Sequence, residues 1–100
     1  MNTWADILQL INVPLETLDE GKKFKVDAVG SRSLVVIPDG GKRLPRAVRR
    51  ESMERAFAEF HKNQQITRAQ LGRMFPNNQT TSYMLAICHR LHALRTPSES

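Results

Sequence analysis

The sequence predicts an α+β fold: an N-terminal helix, a three-stranded antiparallel meander, then three helices ending in a helix-turn-helix-like pair. Three observations carry this reading. Apolar residues alternate with polar ones over residues 22–29, and a β-branched apolar run follows at residues 33–37. Strong turn residues, Gly30-Ser31 and Pro38-Asp39-Gly40-Gly41, divide that stretch into strand-sized pieces. From residue 49 onward the apolar positions recur at helical spacing instead.

Thr3 is placed to cap a first helix, with Asp6 three residues on in a capping-box-like position. Trp4, Ile7, Leu8 and Ile11 then share one face at helical spacing, and Pro14 stops the helix or opens a turn through Leu15 and Leu18. In KKFKVDAV, residues 22–29, Phe24, Val26 and Ala28 alternate with Lys23, Lys25 and Asp27, as in a strand with one wet face. SLVVI, residues 33–37, is apolar on both faces and reads as the central strand. KRLPRAV follows the Pro-Asp-Gly-Gly turn as a third strand. Pro45 cannot donate to a ladder, so this strand is predicted to be short and at an edge.

The helical half opens with RRESMERAFAEFHKN. Met53, Ala56, Phe57 and Phe60 form its core face, while Glu51, Glu54, Arg55 and Glu59 face solvent. Next, ITRAQL (residues 66–71) is a complete helix start. Thr67 is the N-cap, Gln70 the reciprocal partner, and Ile66 can staple to Leu71. Pro76 halts this helix near Phe75. The last helix begins near Thr80 or Thr81 and buries Met84, Ile87, Cys88 and Leu91. That leaves Ser82, Leu85, Ala86, His89 and Arg90 toward an open side.

A chain of 100 residues is read as one domain: an acidic segment at 1–21, a meander at 22–48, a helical part at 49–95, and a tail at 96–100. No apolar run approaches the ~20 residues of a membrane span, and the N-terminus lacks the basic start of a signal peptide. Cys88 is the single cysteine, which excludes an internal disulfide and suits a reducing cytoplasm.

The net charge of +5 is split unevenly. Residues 1–21 hold four acids and no Lys or Arg; residues 22–100 hold all 15 basic side chains against six acids. No carboxylate occurs from residue 60 to residue 98. Such a distribution points to a polyanion partner.

Catalytic patterns are thin. Pro38-Asp39 resembles the start of a nuclease metal signature, but Gly40 stands where the second carboxylate before Lys42 would be needed, and a β-turn explains the stretch. GSRS and DGGK lack the spacing and following helix of a phosphate-binding loop. Cys88, His89 and His92 cluster on the last helix with only His61 in reserve, short of a closed zinc site. The chain is therefore read as a non-enzyme with no cofactor, metal or small-molecule substrate.

The stronger constellation is non-catalytic. Residues 66–92 have the order of a helix-turn-helix unit, whose second helix opens with small polar groups suited to phosphates or base edges. KRLPRAVRR, residues 42–50, supplies a basic wing. The predicted DNA contacts are Lys42, Arg43, Arg46, Arg49, Arg50, Arg68 and Arg73 on phosphates, with Gln79, Thr80, Thr81, Ser82 and His89 on bases. The inter-helix turn is Pro-Asn-Asn-Gln, where many such units use Gly.

FKVDAV, the short VVI strand, the PDGGKR turn, RESMERAFAEF and ITRAQL…NNQTTSYMLAICHRL together resemble small helix-turn-helix modules with a preceding β-meander. Such modules occur beside restriction-type nucleases and in phage or mobile-element proteins. Ser82-Tyr83 followed by Met84-Leu85-Ala86-Ile87 matches the opening of their second helix. The resemblance spans about residues 22–92. It implies accessory binding of duplex DNA, alone or in trans, and a bacterial or phage setting. The acidic first helix has no counterpart in it. The alternative reading is a protein-interaction module or homodimer, docking through Trp4, Ile7, Leu8 and Ile11.

Overall fold

A computed structural model of the chain describes residues 4–17, 21–39, 44–75 and 80–95. It is α+β, with a four-stranded antiparallel sheet where the sequence suggested three strands. A 3₁₀ helix (Trp4–Leu10) leads into β1 (Leu15–Glu16), β2 (Lys23–Val29), β3 (Ser33–Pro38) and β4 (Arg46–Arg49), in spatial order β1-β2-β3-β4. Three helices follow: α1 (Arg50–Lys62), α2 (Arg68–Met74) and α3 (Thr81–Arg95).

The first helix departs from expectation in its period. Trp4, Ile7 and Leu10 are buried, whereas Leu8 is 55% exposed and Ile11 half-buried. A three-residue repeat stacks in a 3₁₀ helix, where i and i+3 eclipse; it would drift around an α-helix. Asn12 ends the element, not Pro14. Its φ of 64° lies in the left-handed region that Asn tolerates, and its N–H donates to the Val26 carbonyl at 2.9 Å. The turned chain then lies along β2 as β1, pairing Leu15 with Phe24 and Glu16 with Lys23. Thr17 closes this hairpin. Its buried hydroxyl accepts from the Lys22 N–H at 2.9 Å, and Gly21 supplies the positive φ the turn requires.

β2 alternates as predicted through Phe24 and Val26, both buried. A bulge between Val26 and Ala28 then shifts the register, so Ala28 is exposed and Val29 turns toward the core. β3 lies between β2 and β4, with Leu34, Val36 and Pro38 buried and Val35 and Ile37 half-buried on the other face. β4 is the short edge expected, but it starts only after Pro45. Gly40 and Gly41 of the expected Pro-Asp-Gly-Gly turn lie outside the described residues, as do Lys42, Arg43, Thr3 and Leu18.

One face of the sheet carries Phe24, Val26, Leu34, Val36 and Val48 into a single core with the helices. α1 contributes Met53, Ala56, Phe57 and Phe60, the predicted face. α2 adds Leu71, and Phe75 just past its end joins the same core. Its capping box is complete: the Gln70 N–H donates to Thr67 Oγ1 at 3.2 Å, and the Thr67 N–H to Gln70 Oε1 at 2.9 Å.

α3 is the centre of the molecule. It contacts β1, the 3₁₀ helix, α1 and α2. Met84, Ile87, Cys88 and Leu91 are buried as predicted, but so are Tyr83, Leu85 and Ala86. Six consecutive buried residues cover every side of a helix. The open side expected at Leu85 and Ala86 is therefore occupied by the fold itself. Tyr83 sits edge-on to Phe24, with ring centroids 4.8 Å apart, which ties the first turn of α3 to the sheet.

Candidate functional site

The predicted contact residues separate into three groups once placed. Lys42, Arg43 and Gln79 lie outside the described residues. Arg46, Arg49, Arg50, Arg68 and Arg73 are exposed. Thr80 and Thr81 are buried, at 6% and 5% exposure, and Ser82 and His89 are half-buried. Thr80 and Thr81 of the expected base-reading set are thus withdrawn from the surface of the folded chain, as Leu85 is, because the first half of α3 is packed on all sides.

His89 illustrates the change of role. Its ring lies edge-on to Phe60 with centroids 4.7 Å apart, and His92 flanks the same ring at 5.8 Å. Burial, and secondarily the charge of His92, lower the His89 pKa from the ordinary 6.5. At neutral pH it is a neutral aromatic partner of Phe60. Cys88 is deeper still; burial pushes its thiol up to about 12, so it stays protonated. Among the described residues, no three His, Cys, Asp or Glu side chains are grouped as a metal site would need.

The expected docking face of the N-terminal helix is also redistributed. Trp4 and Ile7 belong to the core, and Ile11 packs against it, leaving Leu8 as the exposed member.

The basic residues near β4 are organised in detail. The register pairs Ser33 with Arg49. The Arg50 N–H donates to the Arg32 carbonyl at 2.8 Å, so the start of α1 is tied to the β2–β3 turn. The Arg50 side chain makes the tie firmer: Nη1 donates to the Ser31 carbonyl at 3.2 Å, and Nε meets Glu54 Oε2 at 3.3 Å. Its guanidinium carbon lies 5.6 Å from the centre of the Trp4 ring. Trp4 completes the corner by donating from Nε1 to the Gly30 carbonyl at 2.9 Å. Around this frame Arg32, Arg49 and Arg50 line one cleft with Ser31, Ser33, Glu51 and Glu54. Sequence reasoning found Arg49 and Arg50 but missed Arg32. Only the strand register brings a turn residue beside the β4–α1 junction.

A second basic region is helical. Arg68 and Arg73 are exposed on α2, and Arg90 on α3, in a stretch without carboxylates. Arg55 of α1 reaches over the Phe75 ring at 5.3 Å. The open sheet face adds Lys23 and Lys25, with Glu16 opposite Lys23. No helix of the described residues is long and apolar enough to cross a membrane.

Comparison with known proteins finds no matching family model, no similar curated protein and no similar solved structure.

Proposed function

We propose that this protein is a non-catalytic binder of duplex DNA that holds phosphates with exposed arginines and uses α3 as structural core, not as a groove-reading helix. The observation that supports it best is the charge layout. Arg46 and Arg49 on β4, Arg68 and Arg73 on α2, and Arg90 on α3 are all exposed. No acid is present between residues 60 and 98 to repel a phosphate backbone.

Phosphate contacts orient a protein on DNA without reading sequence. With Thr80 and Thr81 buried, this reading favours binding with weak sequence preference. A mobility-shift assay with mixed-sequence duplexes at two salt concentrations is the test. Binding at low salt that weakens steeply at higher salt is the expected result. Arg46→Ala should weaken binding to all duplexes alike. Absence of any shift at low salt would remove the reading, since sequence-independent binding emerges there first.

A further inference from the structure

We infer that the cleft where the β2–β3 turn meets the start of α1 is a phosphate-binding site, with Arg32 and Arg49 as the side chains that grip the anion. This deepens the DNA reading and rests on it only for the source of the phosphate, a backbone phosphodiester of the bound duplex. The cleft is lined by Arg32, Arg49 and Arg50, with serines at 31 and 33 beside them. The three guanidiniums are not equivalent. Arg50 is held by Ser31, Glu54 and Trp4, and it fixes the turn against α1. The side chains of Arg32 and Arg49, by contrast, make no hydrogen bond or ion pair among the described residues. Their planar forks are therefore available for bidentate contact with phosphate oxygens.

Two further features fit this role. The corner is set in advance: the backbone bond from Arg50 to Arg32 ties the start of α1 to the turn, and the Trp4 bond to Gly30 braces that turn from the 3₁₀ helix. The carboxylates at its rim act in opposite senses. Glu54 is neutralised by Arg50, at 3.3 Å. Glu51 is exposed in the first turn of α1 and opposes an incoming anion. Removing the Glu51 charge should therefore tighten binding, a sign that a purely structural account of the arginines does not give.

The test titrates the full chain with inorganic pyrophosphate and, separately, with a mixed-sequence duplex. Backbone amide shifts by NMR and the emission of Trp4, the single tryptophan, are followed. The expected result is that amides of residues 31–33 and 49–51 move with both probes. Arg32→Ala and Arg49→Ala should each abolish the pyrophosphate response. Each should also reduce the log–log salt slope of duplex binding by about one. Glu51→Gln should strengthen the pyrophosphate response several-fold. All three side chains are exposed, and unchanged far-ultraviolet circular dichroism confirms that each variant folds.

If pyrophosphate moves the corner but no duplex binds, the site stands and the phosphate comes from a free ligand. If duplex binds while the corner stays silent and Arg32→Ala leaves the slope unchanged, the site is overturned and the DNA reading survives. Silence of the corner toward both probes also overturns it.

Discussion

Replacing Leu85 with alanine separates a core helix from a recognition helix. Leu85 lies in the first half of α3 and is 4% exposed. Truncating a leucine so placed loses its transfer free energy and leaves a cavity, at a cost of about 2–5 kcal/mol in comparable cores. α3 is enclosed by the sheet, the 3₁₀ helix, α1 and α2, so collapse around the gap is restricted. We expect about 3 kcal/mol, a large part of the ~5–15 kcal/mol that stabilises a domain. With a urea slope of about 1.5 kcal/mol per molar, the midpoint should fall by about 2 M. Trp4 is buried and is the single tryptophan, so its emission reports the transition. A helix facing a DNA groove would give the reverse pattern: stability nearly unchanged and duplex affinity lost. A midpoint shift below about 0.3 M would refute the placement of α3 in the core.

Three other substitutions or conditions probe separate parts of the account. Thr67→Ala removes the hydroxyl end of the α2 capping box and should cost about 1 kcal/mol, read as a lower melting temperature with duplex binding retained. The Cys88 thiol, held protonated by burial, should resist a thiol reagent at pH 8 in the folded protein and react at once in urea. His89 binds its proton less tightly when folded than when unfolded. Its contribution to stability is thus complete above the ordinary value of 6.5 and is lost as pH falls from there toward the lowered folded value. The urea midpoint should decline as pH falls below 6.5, and His89→Gln should flatten that decline.

The parts of the fold legible in sequence are those with strong local signals. The α1 face of Met53, Ala56, Phe57 and Phe60 and the Thr67–Gln70 capping box are written within a few residues, and the structure reproduces both. What the sequence concealed depends on distant partners. β1 is two residues long, so no alternation can announce it; it exists because Asn12 and Thr17 fold it against β2. The bulge in β2 moved Ala28 off the face assigned to it and turned Val29 toward the core, because a register shift has no composition of its own. The Trp4, Ile7, Leu10 repeat fits a 3₁₀ period that an α-helical template passes over.

The candidate site follows the same division. Exposed arginines at 46, 49, 68 and 73 could be named from charge alone. The burial of Thr80, Thr81 and Leu85 could not, because Met84, Ile87, Cys88 and Leu91 already supplied one plausible core stripe. Whether the opposite side of α3 is wet depends on which elements surround it, and here β1, the 3₁₀ helix, α1 and α2 all pack against it. Arg32 stayed hidden because its neighbour Arg49 is 17 residues away and is brought close only by the Ser33–Arg49 pairing.

The most direct test of the central claim is the salt dependence of duplex binding, measured by fluorescence anisotropy for the native chain and for Arg46→Ala/Arg49→Ala. If exposed arginines carry binding, the logarithm of the affinity falls linearly with the logarithm of salt concentration. The double variant should then bind every duplex more weakly, with a slope smaller by about two. No binding by the native chain at low salt, or binding whose slope the double variant leaves unchanged, would contradict it.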